Sequence, residues 1–307
     1  MSGVSIIIPV YNSELSIAAL VELLVNTFQD KYNLEIILVN DCSRDNSEKE
    51  CFTCYKKFPN IVKFYSLSKN VGEHNAVMAG LNQAKGDYIV IMDDDFQNPV
   101  SEVSKLIEYA KANSFDVVYS YYKEKRHSFF RNLGSKFNDK VANLMLKKPK
   151  DLYLSSFKIL NKFIKDEIIK YNLPYPYIDG LIIQTTSNIG KIQLEHETRL
   201  KGKSNYTLSK MISLWLNMFI NFSTLPLRVA IIAGFFFSFV GFSLGIYTVI
   251  DKIMHPDLPR GYTITMVIIA TFSGIQLIAI GMLGEYLGRM FLSQNKKPQF
   301  SIRKRYE

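Results

Sequence analysis

Hydrophobic and polar positions change period along this chain. Over the first 125 residues, short apolar runs at Val4–Val10, Leu34–Asn40, Ile61–Ser66, Tyr88–Met92 and Val117–Tyr121 predict strands. Between them, residues 14–29, 45–57, 73–85 and 99–112 carry apolar positions at helical spacing. The last is the best marked: Val103, Leu106, Ile107 and Ala110 form a stripe, with Asn98 expected to cap and Pro99 in the first turn. Such alternation predicts an α/β fold with a mainly parallel sheet, flanking helices and right-handed crossovers. Beyond residue 206 the pattern changes. Lys210–Leu225 puts Met211, Leu214, Trp215, Met218 and Phe222 on one stripe, as expected of an interfacial amphipathic helix. Val229–Ile250 and Tyr262–Gly284 then contain no charged residue, and each would span roughly 33 Å as a helix. The expected organisation is a head at 1–206, an interfacial helix at 207–228, a first span at 229–250, an external loop at 251–261, a second span at 262–287 and a basic tail at 288–307.

Charge orients this hairpin. Lys201, Lys203, Lys210 and Arg228 precede the first span, and Arg289, Lys296, Lys297, Arg303, Lys304 and Arg305 follow the second. The connecting loop is balanced, with Lys252 and Arg260 against Asp251 and Asp257. Positive flanks stay inside, so a multi-pass protein of the inner (cytoplasmic) membrane is expected, with head and both termini cytoplasmic. The net charge of +9 then reads as attraction to anionic lipid and phosphate, with no nucleic-acid motif beside it. Gly241–Gly245 and Gly284–Gly288 offer small-residue faces that could pack the hairpin or join subunits into a homo-oligomer. Cys51 and Cys54 have the spacing of half a zinc or redox site, but no second pair completes it, and packing is the expected role.

Ligands of a parallel sheet gather outside the carboxyl ends of its strands. Pro9-Val-Tyr11-Asn12-Ser-Glu14 follows the first predicted strand, Asn40-Asp41 the second, Asn70-Val-Gly72 the third and Asp93-Asp94-Asp95 the fourth, so the unusual polar residues fall on one edge. Three adjacent acids repel one another and call for a divalent cation; hard oxygen donors with Gln97 nearby suit Mg²⁺ or Mn²⁺ shared with substrate phosphates. Neither a G-x-G-x-x-G turn nor a P-loop is present, so phosphate charge must be met by metal and by cationic side chains. Two basic clusters are available: Lys123, Lys125, Arg126 and Arg131 after the fifth strand, and Arg199, Lys201 and Lys203 before the membrane segment. Arg131 and Arg199 are preferred for phosphate because of their forked donor geometry. None of His74, His127, His196 and His255 shares a metal-ligand spacing, and Asp179 fits either a sugar contact or a loop-stabilising carboxylate.

Four motifs in order carry a resemblance: Ser5-Ile-Ile-Ile-Pro-Val-Tyr-Asn-Ser-Glu14, Val39-Asn-Asp-Cys-Ser-Arg-Asp-Asn-Ser47, Asn70-Val-Gly72…Ala76…Gly80…Ala84-Lys-Gly86-Asp87 and Met92-Asp-Asp-Asp-Phe-Gln-Asn-Pro99. Together they resemble family 2 glycosyltransferases of the GT-A fold. Gly202-Lys-Ser-Asn-Tyr206, Pro226-Leu-Arg228 and Gly284-Glu-Tyr-Leu-Gly-Arg289 are similar to the branch that uses polyprenyl phosphates, including bactoprenol glucosyltransferases, undecaprenyl-phosphate aminoarabinose transferases and dolichol-phosphate mannose synthases. The resemblance implies a nucleoside-diphosphate sugar held by Pro9, Tyr11, Asn12, Glu14, Asp41, Asp93 and Asp94, and a metal on Asp93, Asp95 and Gln97. It implies an acceptor phosphate met by Arg131, Arg199, Lys203 and Ser204, with Asp95, Asp151 and Arg131 as catalytic residues and inversion at the anomeric carbon. Two departures stand out. Asn40 and Cys42 replace an Asp-Asp-Gly turn, and Cys42 takes positive φ less freely than glycine. The Asp-x-x-Ser-x-Phe-Arg pattern reads here Asp151-Leu-Tyr-Leu-Ser155-Ser156-Phe157-Lys158, one residue longer and with Lys for Arg. Two other readings are a processive polysaccharide synthase, which would need more spans and a Gln-x-x-Arg-Trp motif, and a non-catalytic nucleotide-binding membrane scaffold, which would have no need of clustered acids.

Overall fold

The structure is a computed structural model that describes residues 2–122, 152–174, 176–195, 225–254, 262–294 and 298–307. It divides into two units, Met1–Thr207 with Lys296–Glu307, and Leu208–Asn295.

The first unit is built on one eight-stranded sheet: β1 (Gly3–Val10), β2 (Asn33–Asn40), β3 (Val62–Leu67), β4 (Tyr88–Ile91), β5 (Val117–Tyr121), β6 (Lys158–Asn161), β7 (Ile189–Gln193) and β8 (Ile302–Tyr306), in the order β7-β5-β6-β4-β1-β2-β3-β8. The pairs β1–β2, β1–β4, β2–β3 and β5–β7 are parallel; β6 is antiparallel to β4 and β5, and β8 to β3. The five strands predicted from sequence are all present. Helices α1 (Ile17–Phe28), α2 (Ser47–Lys57), α3 (Glu73–Leu81) and α4 (Val100–Ala112) join them, and α5 (Lys162–Ile168) and α6 (Ile178–Thr185) follow β6. Strand β1 is buried almost throughout because helices cover both faces, which is why it reads as a continuous apolar run. Leu20, Leu24 and Phe28 of α1 and Val103, Leu106 and Ile107 of α4 share one core with Ile6, Ile8, Ile36 and Leu38. On the opposite face α3 packs so tightly that a Cβ on Gly80 would lie 2.5 Å from Ile7 Cγ2.

Asn98 does not cap α4. Pro99 is the N-cap, with no side-chain cap bond, and Asn98 Oδ1 instead accepts from Tyr122 Oη at 2.6 Å. A fixed proline φ suits the residue entering a helix, so the side-chain amide is released for a tertiary bond.

The end of the chain returns to this sheet. Ile302–Tyr306 adds to the β3 edge, with Tyr306 opposite Phe64, and Ser68 N donates to Ser301 O at 2.8 Å. The Tyr306 ring stacks on Phe64 at 5.6 Å and lies 4.8 Å from Phe52. Gln299 Nε2 donates to the carbonyls of Tyr171 and Leu173. Arg303, Lys304 and Arg305 stay exposed, and charge on an edge strand discourages further pairing.

The second unit holds two long helices, α7 (Leu225–Met254) and α8 (Tyr262–Gln294). Leu227–Asp251 of α7 is long and apolar enough to cross a membrane, with mean hydropathy 2.2. Its phenylalanines 235, 236, 239 and 242 are exposed, as suits a lipid-facing surface. Gly241 lies against Phe272, where a Cβ would come within 2.9 Å of the ring, so the small residue allows close contact of α7 with α8; Gly245, Gly284 and Gly288 meet nothing within 4 Å.

Candidate functional site

Strands β1, β2 and β3 progress to one side while β4 lies on the other side of β1, so strand order reverses between β1 and β4. A crevice opens at such a switch point. The segments after β1 and β4 meet there, where Ser13 reaches Asp94, and the segments after β2 and β3 follow on the same edge of the sheet.

The turn after β4 carries the acids. Ser156 Oγ donates to Asp93 Oδ2 at 2.5 Å, Ser13 Oγ donates to Asp94 Oδ2, and Tyr11 N lies 3.4 Å from the same oxygen. Asp95 Oδ1 accepts from Gln97 N at 3.1 Å, and Phe96 is held at φ +61°, a left-handed conformation that bulky residues avoid. Burial, followed by Glu73, pushes the Asp93 carboxyl up to about 7 despite the Ser156 bond. Burial also pushes Asp94 up to about 7, with Asp93 and Asp95 adding to it and Ser13 opposing. Both shifts are led by burial, with neighbouring carboxylates adding to them.

The β1 and β2 loops are laced together. Asn12 Oδ1 accepts from Arg44 N at 2.9 Å, and Asn12 N donates to Ser43 Oγ at 3.1 Å. Glu14 Oε2 accepts from Asn46 N and Nδ2 at 2.8 and 2.9 Å. Asp41, 3 % exposed, spreads its two oxygens over Val71 N and Gly72 N, both at 2.8 Å. Burial nevertheless raises its pKa, with those two amides pulling the other way. Gly72, at φ +89°, is the N-cap of α3, a conformation glycine takes without penalty. Cys42 sits at φ +53°, so the position where glycine is frequent does require left-handed backbone, and here a cysteine bears the strain.

The structure brings Tyr11, Asp93, Asp94 and Asp95 together beyond the carboxyl ends of β1 and β4, and Asn12, Glu14 and Asp41 stand in the loops after β1 and β2. Arg131, Asp151, Arg199, Lys203 and Ser204 lie outside the described residues, as do Lys123, Lys125, Arg126, Lys201 and the segment around Trp215. Asp179 is turned inward, bonded to Lys158 Nζ and to Tyr119 Oη. His74 is kept neutral by burial, its pKa lowered to about 4, and its ring meets Tyr177 edge-on at 5.1 Å. Cys51 and Cys54 are buried on α2; burial drives both thiols up, Cys54 to about 11, so neither offers a thiolate. Sequence reasoning missed Ser13 and Ser156. Ser13 stands inside the first of the four motifs, three residues past β1. Ser156 shows only once β6 is paired with β4.

The model of "Glycosyl transferase family 2" matches residues 5–174, more than half of the chain. The chain belongs to glycosyl transferase family 2. A second model, the "GtrB C-terminal hairpin", matches residues 225–290, which include α7 and most of α8. This glycosyltransferase is 30 % identical over 99 % of its length, and 94 % of the relative's, to an undecaprenyl-phosphate 4-deoxy-4-formamido-L-arabinose transferase of Proteus mirabilis. Its fold is similar to mannosyl-3-phosphoglycerate synthase from Rubrobacter xylanophilus, at 14 % identity, TM-score 0.55 and coverage of 71 % of this chain and 72 % of the other. It is also similar to glucosyl-3-phosphoglycerate synthase from Mycobacterium tuberculosis, solved with Mn²⁺, uridine diphosphate and glucosyl-3-phosphoglycerate, at 14 % identity, TM-score 0.52 and coverage of 69 % and 76 %. These two likenesses show the GT-A-like fold.

Proposed function

We propose that this glycosyltransferase moves one sugar from a nucleoside-diphosphate donor to a polyprenyl phosphate of the undecaprenyl class, at the cytoplasmic face of the membrane, with inversion. The observation that carries the reading is the acidic turn at the switch point, three adjacent carboxylates of which Asp93 and Asp94 are held by Ser156 and Ser13. Full-length likeness to enzymes named for undecaprenyl phosphate supports the acceptor.

Asp93 and Asp95, with Gln97, would hold Mg²⁺ or Mn²⁺. Their hard oxygens fit such an ion, and the crowded negative charge of the turn is what a cation would relieve. Among the described residues no three His, Cys, Asp or Glu side chains form a cage. Few protein ligands leave room for diphosphate oxygens and water, as Mg²⁺ sites usually do. When bound, the ion would offset charge on the departing diphosphate. A neighbour solved with Mn²⁺ and uridine diphosphate supports this assignment.

The remaining chemistry falls to the chain. Tyr11, Asn12, Glu14 and Asp41, fixed by the lacing of two loops, border the space for base and ribose, with Pro9 ahead of them. The acceptor phosphate is already an oxyanion at pH 7, so no strong base is needed, and Asp151 would serve mainly to orient it. Arg131, Arg199, Lys203 and Ser204 would draw two anions together. Attack on the anomeric carbon forms a bond to acceptor oxygen as the bond to diphosphate oxygen breaks, and a single displacement inverts configuration.

The return of β8 supports the topology. The sheet of the first unit contains strands from before α7 and after α8. A chain that leaves and rejoins one folded sheet crosses the bilayer an even number of times. With α7 as one crossing, α8 supplies the second, and the basic flanks put both ends inside.

The test is incubation of the purified full chain with undecaprenyl phosphate, Mn²⁺ and a panel of labelled nucleoside-diphosphate sugars. A lipid carrying one sugar is expected, and a polymeric product would overturn the reading. Asp95→Asn is expected to abolish transfer while the protein stays folded in the membrane fraction; turnover at the wild-type rate would remove the acidic turn from the mechanism.

A further inference from the structure

Strand β6 runs antiparallel between β4 and β5, and its register decides what stands beside the acidic turn. Lys158 pairs with Ile91 on β4 and with Tyr119 on β5. Continuing that register by two residues sets Ser156 opposite Asp93, and their hydrogen bond is present at 2.5 Å. Residues two apart on a strand share a face, so Lys158 is the diagonal neighbour of Asp93. Its ammonium is bonded to Asp179 and lies 5.1 Å from the centre of the Tyr119 ring. Tyr119 Oη donates to Asp179 at 2.8 Å. Lys158 is 4 % exposed and Asp179 7 %. With His74 neutral, Lys158 is the cation of this cluster among the described residues.

Such a pair is a poor way to hold strands together. Desolvation of two ions cancels much of their attraction, and apolar residues of similar volume often serve as well or better. A buried cation placed diagonally behind a crowded acid has a use that packing alone does not supply.

We propose that Ser156 and Lys158 are positioning residues of the acidic turn: β6 lays a hydroxyl and a fixed positive charge along the end of β4, so that Asp93 keeps one orientation against the repulsion of Asp94 and Asp95. Asp179 and Tyr119 hold the ammonium in place. This rests on the acidic turn being the donor-diphosphate site. It adds the reason why the lysine stands where the related pattern has arginine: either residue brings a cation to this point of β6.

Three variants of the full chain test it. Ser156→Ala removes one charge-assisted bond and no packing volume of consequence; kcat is expected to fall about tenfold or more with the unfolding midpoint unchanged. Lys158→Met combined with Asp179→Leu replaces the ion pair by apolar volume; folding is expected to survive and kcat to fall at least as far. Lys158→Arg keeps the charge and is expected to stay within about threefold of wild type. The second readout needs no turnover: the electron paramagnetic resonance line shape of Mn²⁺ bound with uridine diphosphate reports the ligand geometry. It is expected to change in Ser156→Ala and in the apolar double variant, and to match wild type in Lys158→Arg. Wild-type kcat and line shape in Ser156→Ala would overturn the proposal, even if the double variant failed to fold. So would a Lys158→Arg enzyme as slow as the apolar one. Because the line shape is read without transfer, failure of the reaction reading and failure of the positioning role are separately visible.

Discussion

Asp94→Asn is expected to make the metal-free protein more stable, by an amount that depends on pH. In the folded chain burial, with Asp93 and Asp95 close by, pushes Asp94 up to about 7 from a usual 3.8. A carboxyl whose folded pKa is raised costs the folded state nothing below its unfolded value. The cost then grows as pH rises and is complete above the folded value. A displacement of that size corresponds to about 4 kcal/mol, and partial solvent contact brings a reasonable figure to about 2 kcal/mol. Asparagine carries no charge at any pH and keeps an oxygen able to accept from Ser13 Oγ. The variant should therefore unfold about 4–8 °C above wild type at pH 8. The gain should be lost progressively as pH falls through the folded value toward 3.8, so it is smaller at pH 5 and smallest at pH 4. Thermal unfolding of the detergent-solubilised chain at these three pH values, without divalent ions, reads this directly. Equal midpoints at pH 8, or a gain that does not change with pH, would refute the electrostatic account of the turn. Mn²⁺ with uridine diphosphate should narrow the gap by raising the wild-type midpoint.

Three further outcomes are expected. Cys42→Gly should stabilise the protein by about 0.5–1 kcal/mol in urea unfolding, because the residue sits at φ +53°; a loss would show that the thiol contributes more than the strain costs. Tyr306→Ala should cost about 2–4 kcal/mol, since its ring packs on Phe52, Tyr55 and Phe64; an unchanged midpoint would make β8 an ornament of the sheet edge. Asp257→Cys should react with a membrane-impermeant maleimide added outside intact cells; protection there, with labelling only after lysis, would reverse the proposed topology.

The parts legible in the sequence are those where a local pattern reports a global position. Strands β1 to β5 are buried between helices, so each appears as an apolar run, and three adjacent acids at the end of β4 violate the expectation that like charges are kept apart. That violation marks the site before any fold is known. Strands β6, β7 and β8 give no such signal. KILN and IGKIQ are short, each with a lysine in an apolar setting, and IRKRY alternates poorly because its three central residues face solvent at a sheet edge. A charged run of this kind reads as a solvated tail, and only its pairing with β3 and the aromatic contacts of Tyr306 make it a strand.

The brace behind the acidic turn illustrates the deeper limit. Lys158 and Asp179 lie 21 residues apart, one on β6 and the other on α6, and neither position is informative alone. A lysine between Phe157 and Ile159 is a local inconsistency: the neighbours ask for burial and the charge resists it. Local inconsistencies of this kind are resolved only by tertiary contact, here with a carboxylate, a phenol and the end of β4. The same holds for Cys42, whose residue type disagrees with its backbone. Residues that break local rules are thus the points at which the crevice imposes its own requirements on the chain, and the substitutions above act on those requirements one at a time.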